Sequence, residues 1–381
     1  YKITGILMDK DTGKAVKDAN GEKITSSVEF VAEDTDGSVD VKFNFDGTNL
    51  GGKILVAFEK LYYGEKLYGT HADLEDEEQT MYVPEVETVA LNKETETHHA
   101  LADGTVELLD TVKYRNLLPG RNYTLHGMIV EKETGNPVSE ERTLEFVPEK
   151  SEGSVELGFE ISADELCGKT IVVYEEIKAD GKSIAEHKDP EAKEQSIYFP
   201  EIGTKALDEN SKTQEGEAKE KQKIIDQITY KNLLPDETYV LKGVLMDKET
   251  GKELLDENGK RVTAGISFVP ENEEGTIEMT FELDARMLAG KSVVVFERLY
   301  DEEEHLIAKE EDIENADQTI LYRKQEIPKN TIVEKPGHNS KEVRKSPKTG
   351  DENRMDLWLV MLCVFGIAVV TEIVIYKRRN R

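Results

Sequence analysis

One segment recurs three times and fixes how the chain divides. Its copies are His71-Ala-Asp-Leu-Glu-Asp-Glu-Glu-Gln79-Thr-Met-Tyr-Val-Pro84, His187-Lys-Asp-Pro-Glu-Ala-Lys-Glu-Gln195-Ser-Ile-Tyr-Phe-Pro200 and Glu310-Glu-Asp-Ile-Glu-Asn-Ala-Asp-Gln318-Thr-Ile-Leu-Tyr322. A Gln stands before a short apolar strand each time. Eight residues ahead of it is His in two copies and Glu310 in the third. The three Gln are 116 and 123 residues apart, each interval the size of a small domain. Shared phrases set the register: Asn116-Leu-Leu-Pro-Gly120 matches Asn232-Leu-Leu-Pro-Asp236, and Leu7-Met-Asp-Lys-Asp-Thr-Gly13 matches Leu245-Met-Asp-Lys-Glu-Thr-Gly251. The repeats run 1–84, 85–200 and 201–322. Tyr1 aligns with Tyr123 and Tyr239 in mid-repeat, so the first copy is expected to be truncated at its front.

Within each repeat the pattern is β. Val39, Val41, Phe43 and Phe45 alternate with polar residues, as do Val155, Leu157, Phe159 and Ile161, and Ile277, Met279, Phe281 and Leu283. A period of two puts one face in the core and one in water. Ile54 to Phe58, Ile171 to Tyr174 and Val293 to Phe296 are continuous apolar runs that fit central strands. Thr-Gly, Asp-Gly and Leu-Pro-Gly steps punctuate them. The fold class expected is all-β: tandem immunoglobulin-like β-sandwich domains. A helical turn is predicted at Ala163–Leu166, and a solvent loop for His98 and His99.

The chain carries 79 acids against 49 bases, a net charge of −30, which repels nucleic acid. Its two cysteines, Cys167 and Cys363, offer no disulfide framework. After Tyr322 the composition shifts. Residues 323–345 form a Pro-containing linker without periodicity, expected to be disordered. Then come Ser346-Pro-Lys-Thr-Gly350, twenty mostly apolar residues (357–376) and the basic tail 377–381. Twenty residues at helical rise span a hydrocarbon core, and the basic end marks its cytoplasmic side.

Several polar residues recur at positions where the two-residue period points inward. Thr88 and Thr204 lie on the first strand of their repeats, and Asp110 and Asp226 on the second. Glu59, Glu175 and Glu297 end the continuous apolar strands; Gln79, Gln195 and Gln318 precede the last. A buried acid without a partner costs several kcal/mol or shifts its pKa, so such a set needs a reason. A hydrogen-bond network would account for any one member. For the whole set, covalent chemistry is the sharper account: a Thr hydroxyl attacks a Gln side-chain carbonyl, expels ammonia and leaves an ester. The hydroxyl needs a base, and His suits neutral pH. The oxyanion needs a donor, which a buried protonated carboxyl supplies. The roles are then Thr88 nucleophile, His187 base, Asp110 with Glu175 the proton-sharing pair, and Gln195 electrophile. Each repeat reacts once with itself, so this is not enzymatic turnover. No cofactor is called for, and no ligand spacing points to a metal.

Glu87-Thr88-Val-Ala-Leu, Gly203-Thr204-Lys-Ala-Leu, Leu-Leu-Asp110-Thr-Val, Ile-Ile-Asp226-Gln-Ile, Val56-Ala-Phe-Glu59, Val172-Val-Tyr-Glu175 and Val294-Val-Phe-Glu297 also carry a family resemblance. Together with the His-x-Asp stretch from His71 or His187 to its Gln, they resemble the Thr–Gln ester-bond domains (VaFE repeats) of Gram-positive adhesin stalks, over residues 1–322. The resemblance implies esters joining Thr88 to Gln195 and Thr204 to Gln318. Two departures stand out. Gln79, His71 and Glu59 lack a Thr partner in the first repeat, and Glu310 replaces His in the third. Glu176, beside Glu175, is a competing acid. The tail resembles the sorting signal of Gram-positive wall proteins, with Ser346, Pro347, Lys348, Thr349 and Gly350 as its pentapeptide and Ser346 where Leu is usual. That implies cleavage after Thr349 by a sortase, transfer to peptidoglycan, and a membrane span only in the precursor.

The expected function is therefore a secreted, wall-anchored stalk whose domains cross-link themselves and present an upstream head to a host surface or matrix ligand. The alternatives are sandwich domains that bind a host ligand themselves, a polymerised pilin subunit, or a wall-anchored enzyme whose catalytic domain lies upstream.

Overall fold

The computed structural model describes residues 1–324; the linker from 325 on, the pentapeptide and the apolar span expected at 357–376 lie outside the described residues. Among the described residues no helix is long and apolar enough to cross a membrane.

The second repeat is a two-layer sandwich. One sheet has three antiparallel strands in the order Gly153–Ser162, Thr105–Arg115, Glu85–Asn92. The other runs Lys182–His187, Thr170–Ala179, Tyr123–Glu131, Arg142–Phe146, with the closing strand Ser196–Tyr198 also paired to Thr170–Ala179. Both sheets contribute to one core: Val112, Phe159 and Leu108 from the first, Leu125, Ile129, Ile171 and Ile177 from the second. The alternation read from the sequence is kept, since Leu157, Phe159 and Ile161 are buried while Glu156, Gly158 and Glu160 are exposed. The third repeat repeats this plan, with Glu201–Asp208, Gln222–Lys231 and Gly275–Leu283 in its smaller sheet.

The first repeat holds one described sheet, Thr25–Glu29, Lys2–Asp9, Ile54–Tyr63, Lys66–His71, plus Thr80–Tyr82. The strand predicted over Val39–Phe45 is not formed. The four apolar side chains are still half-buried and alternate with exposed neighbours, and Phe43 and Val41 lie over Gly5. What is missing is a ladder partner. In the second repeat the matching strand pairs with Thr105–Arg115, and residues 1–84 contain no equivalent of that strand. The helical turn predicted at Ala163–Leu166 is an isolated hydrogen-bonded turn and not a helix, closed by Leu166 N–H donating to the Ala163 carbonyl at 2.9 Å.

His99 is not in a solvent loop. Residues 98–100 run parallel to the closing strand: Tyr198 N–H donates to the His98 carbonyl (2.8 Å) and Ala100 N–H to the Tyr198 carbonyl (3.0 Å). The His99 ring is buried against the third repeat, with Nε2 3.1 Å from the Tyr239 hydroxyl. Burial pushes its pKa down to about 4, so the ring is neutral.

The Asn-Leu-Leu-Pro phrase explains itself here. Asn116 and Asn232 sit at φ 58° and 61°, a left-handed conformation Asn tolerates better than most residues. From there each side chain reaches back into the preceding repeat. Asn116 Nδ2 donates to the Lys53 (3.2 Å) and Val83 (3.0 Å) carbonyls, and Asn232 Nδ2 to those of Lys169 (2.6 Å) and Phe199 (3.2 Å). One amide thus clasps the turn and the closing strand of its neighbour, at both junctions. Replacing Asn232 by Asp keeps the backbone preference but sets an oxygen against two carbonyls. Asn232→Asp is expected to cost about 2 kcal/mol at that junction, read as lost amide-exchange protection at Gly168 and Phe199, with Asn232→Gly losing less.

Candidate functional site

In the second repeat the polar set converges where the two sheets meet at one edge. The Glu85–Asn92 strand borders the smaller sheet and carries Thr88. The Thr170–Ala179 strand of the larger sheet carries Glu175, whose register neighbour across the ladder is His187. Gln195 ends a single 3-10 turn (Lys193–Gln195) just before the closing strand. Asp110 lies on Thr105–Arg115, the middle strand of the smaller sheet. Asp110, Glu175 and Gln195 have no exposed surface, and Thr88 has 4%.

The Glu175 carboxyl is the hub. Its Oε2 accepts from Thr88 Oγ1 at 3.2 Å and from Gln195 Nε2. Thr88 Oγ1 is also 3.4 Å from His187 Nδ1. Glu175 Oε1, both Asp110 oxygens and Gln195 Oε1 have no hydrogen-bond donor among the described residues. Two facing carboxylates cannot bond each other; a proton between them restores a donor. Burial, then the Asp110 charge and hydrogen bond, push Glu175 up to about 10, while burial lifts Asp110 to about 7. The pair therefore holds a proton at neutral pH, chiefly on Glu175. Glu176, the competing acid, points the other way and pairs with Lys178 and Lys188, each at 3.5 Å.

The third repeat has the same arrangement. Glu297 Oε2 accepts from Thr204 Oγ1 at 3.5 Å and from Gln318 Nε2, and both Asp226 oxygens lack a donor among the described residues. Burial and Asp226 raise Glu297 to about 11; burial raises Asp226 to about 6. Glu310 stands opposite Glu297 in the ladder, as His187 stands opposite Glu175. In the first repeat Glu59 faces His71 in the same register, and burial again raises its pKa. There the site is open: Glu59 and Gln79 are not fully buried and His71 is exposed, and residues 1–84 hold no counterpart of Thr88 or Asp110.

The sequence offers no role for His98, whose Nδ1 meets the Ser196 carbonyl at 3.0 Å beside Gln195. In the third repeat Glu215–Glu217 likewise pairs in parallel with Thr319–Arg323.

The raised carboxyls give a testable pH dependence. In the unfolded chain these acids lose their protons near pH 4. The folded repeat retains a proton on Asp110 to about 7 and on Glu175 to about 10. The folded state binds more protons across that window, so its stability falls as pH rises from about 4. In a Thr88→Val chain, amide protection factors of the Thr105–Arg115 strand are expected to drop between pH 4 and 7. Adding Asp110→Asn is expected to lessen that slope without abolishing it, because burial still raises Glu175.

Comparison with known proteins adds the family. The model of the T-Q ester bond containing domain matches residues 1–83, 84–199 and 200–322. Among curated proteins, none matches. Among solved structures, a bacterial adhesin from Mobiluncus mulieris containing intramolecular disulfide, isopeptide and ester bond cross-links is 17% identical, over 56% of this chain and 80% of that one, with a TM-score of 0.29. The C-terminal domain of the Streptococcus agalactiae AgI/II polypeptide BspA is 9% identical, over 59% of this chain and 97% of that one, also at 0.29. The family model spans three consecutive segments that cover most of the sequence, and the chain belongs to the T-Q ester bond containing domain family.

Proposed function

We propose that the second and third repeats each close an intramolecular ester, Thr88 to Gln195 and Thr204 to Gln318, and that the chain is a wall-anchored extracellular stalk braced by these bonds. The observation that carries this reading is the Glu175 carboxyl, which gathers the Thr88 hydroxyl and the Gln195 amide in a fully buried site. Holding two reactive groups on one buried acceptor is the entropic part of catalysis.

The proposed reaction balances without an outside reagent. Thr88 Oγ1 gives its proton to His187 Nδ1 and attacks the Gln195 side-chain carbonyl carbon. The proton held by Asp110 and Glu175 is the donor available to the Gln195 oxygen as it gains charge. The C–N bond then breaks, the nitrogen takes the His187 proton, and ammonia leaves. Each repeat reacts once, so the repeats modify themselves and are not turnover enzymes.

Thr88 lies on the first strand and Gln195 beside the last, so the bond encloses about a hundred residues. For a loop of that size the chain-entropy estimate is about 4.7 kcal/mol. Its mechanical effect is larger. Load entering one terminal strand leaves through the other across a covalent tie, bypassing the core. The Ser346–Gly350 pentapeptide, the apolar 357–376 segment and the basic tail support anchoring. In this reading a sortase cleaves after Thr349 and joins it to peptidoglycan, leaving the span in the precursor's remnant. An upstream head would engage the host ligand.

Intact mass of the 381-residue chain tests the reaction. It is expected one ammonia lighter for each closed repeat, with Thr88 linked to Gln195 in a peptide digest. Thr88→Val should restore one ammonia of mass and lower the second repeat's stability by about the loop-closure amount. A wild-type chain at full calculated mass after prolonged incubation rejects the ester reading. For the anchor, Thr349→Ala is expected to move the protein from the wall fraction to the membrane fraction of a Gram-positive host.

A further inference from the structure

The residue three places before each Gln differs among the repeats: Asp76, Ala192 and Asn315. One hydrogen bond to its backbone does not. The hydroxyl of the residue after the Gln donates to its carbonyl in every copy: Thr80 to Asp76 (2.6 Å), Ser196 to Ala192 (2.8 Å) and Thr319 to Asn315 (2.7 Å). Asp76 has φ −70°, ψ 108° and Ala192 φ −68°, ψ 104°. The same hydroxyl–carbonyl bond is built three times beside three different side chains.

In the first and third repeats that side chain makes the same two contacts. Asp76 Oδ1 accepts the Glu78 N–H (2.9 Å), and Oδ2 is 2.7 Å from His71 Nε2. Asn315 Oδ1 accepts the Asp317 N–H (2.9 Å), and Nδ2 donates to Glu310 Oε1 (3.3 Å). One end caps the turn that presents the Gln. The other end grips the side chain eight places before the Gln. The chemistry is matched: an acid meets an imidazole, and an amide meets a carboxylate, where a second acid would repel. His187 turns Nδ1 toward Thr88, so Nε2 is the nitrogen left for such a grip. An acceptor on Nε2–H leaves the lone pair on Nδ1, which is the form a base needs. Ala192 can make neither contact.

We propose that the side chain three residues before the Gln is a positioning residue in the first and third repeats, a place that Ala192 leaves unfilled in the second, and that Asn315 holds Glu310 as the base that takes the Thr204 proton in the third repeat. This rests on the ester reading above. Glu310 replaces the histidine in function: it accepts the Thr204 Oγ1 proton as that oxygen bonds to the Gln318 carbonyl carbon, then returns it to the departing nitrogen, which leaves as ammonia. Glu297 faces it across the ladder, and Asp226 stands against Glu297. Their shared proton spares that pair a second buried charge. The second repeat runs without the positioning contact, and its backbone is ready to accept one.

The test follows closure of each ester in the full 381-residue chain after cell-free synthesis, by intact mass and by the Thr88–Gln195 and Thr204–Gln318 linked peptides. Both repeats are expected to close. Glu310→Gln should slow only the third, by on the order of a hundredfold. Asn315→Ala, which copies the native residue of the second repeat, should slow the third several-fold, and Asn315→Asp more. Ala192→Asp should speed the second repeat several-fold. Ala192→Ser, which caps the turn but is too short to reach His187, should leave its rate unchanged. Equal rates for the Ala192→Asp and Ala192→Ser chains would reduce the position to a turn cap and overturn the proposal. So would a third repeat that stays open while the second closes, or one that closes at the wild-type rate in Glu310→Gln. Failure of both repeats in the wild-type chain would instead reject the ester reading beneath it.

Discussion

The buried carboxyl pair is the constraint on which the site depends. Asp110 and Glu175 have no exposed surface and, among the described residues, no lysine or arginine to neutralise them. Two charges there would be prohibitive, so a proton becomes a structural component. The other parts follow. Glu175 sits mid-strand in the larger sheet, Asp110 mid-strand in the smaller one, and the proton they share couples the two layers. Thr88 and Gln195 then gather on a single oxygen of Glu175. The third repeat keeps this geometry although its sequence differs at most positions, with Asp226 and Glu297 as the pair.

Much of this was legible in the sequence because strands have a period of two. Counting alternate residues from Val86 places Thr88 inward, and counting from Leu108 does the same for Asp110; both are buried. The continuous apolar run Ile171–Tyr174 marked a central strand, and it is one. The structure also sorts the Glu175–Glu176 pair, with the first at the buried site and the second among lysines. Alternation does not reveal pairing, however. Val39–Phe45 has the pattern of a strand and the burial of one, yet forms no ladder, because a strand is defined by its neighbour.

Contacts between repeats were the least legible. His99 lies in a polar stretch, Lys93–His99, with nothing apolar to mark it as buried; its partner Tyr239 is 140 residues away. Asn116 and Asn232 were visible as a recurring phrase but not as a clasp, since the left-handed backbone that aims them appears only in three dimensions. The side chains at 76, 192 and 315 escaped for the opposite reason. They vary, and a reading guided by recurrence passes over positions whose identity changes to suit a neighbour.

The placement of Thr88 and Gln195 on the opening and closing segments bears on how the molecule is made. A ribosome delivers the Thr strand first and the Gln last, and an unfolded chain has neither in place. The buried acceptor between them exists only once both layers have stacked and the closing strand has docked beside Thr170–Ala179. A slip of one residue in that strand would turn the Gln outward, away from Glu175. An ester at this point would therefore act as a receipt for correct folding: chains that stay loose remain threadable and digestible, and those that reach the right register are sealed.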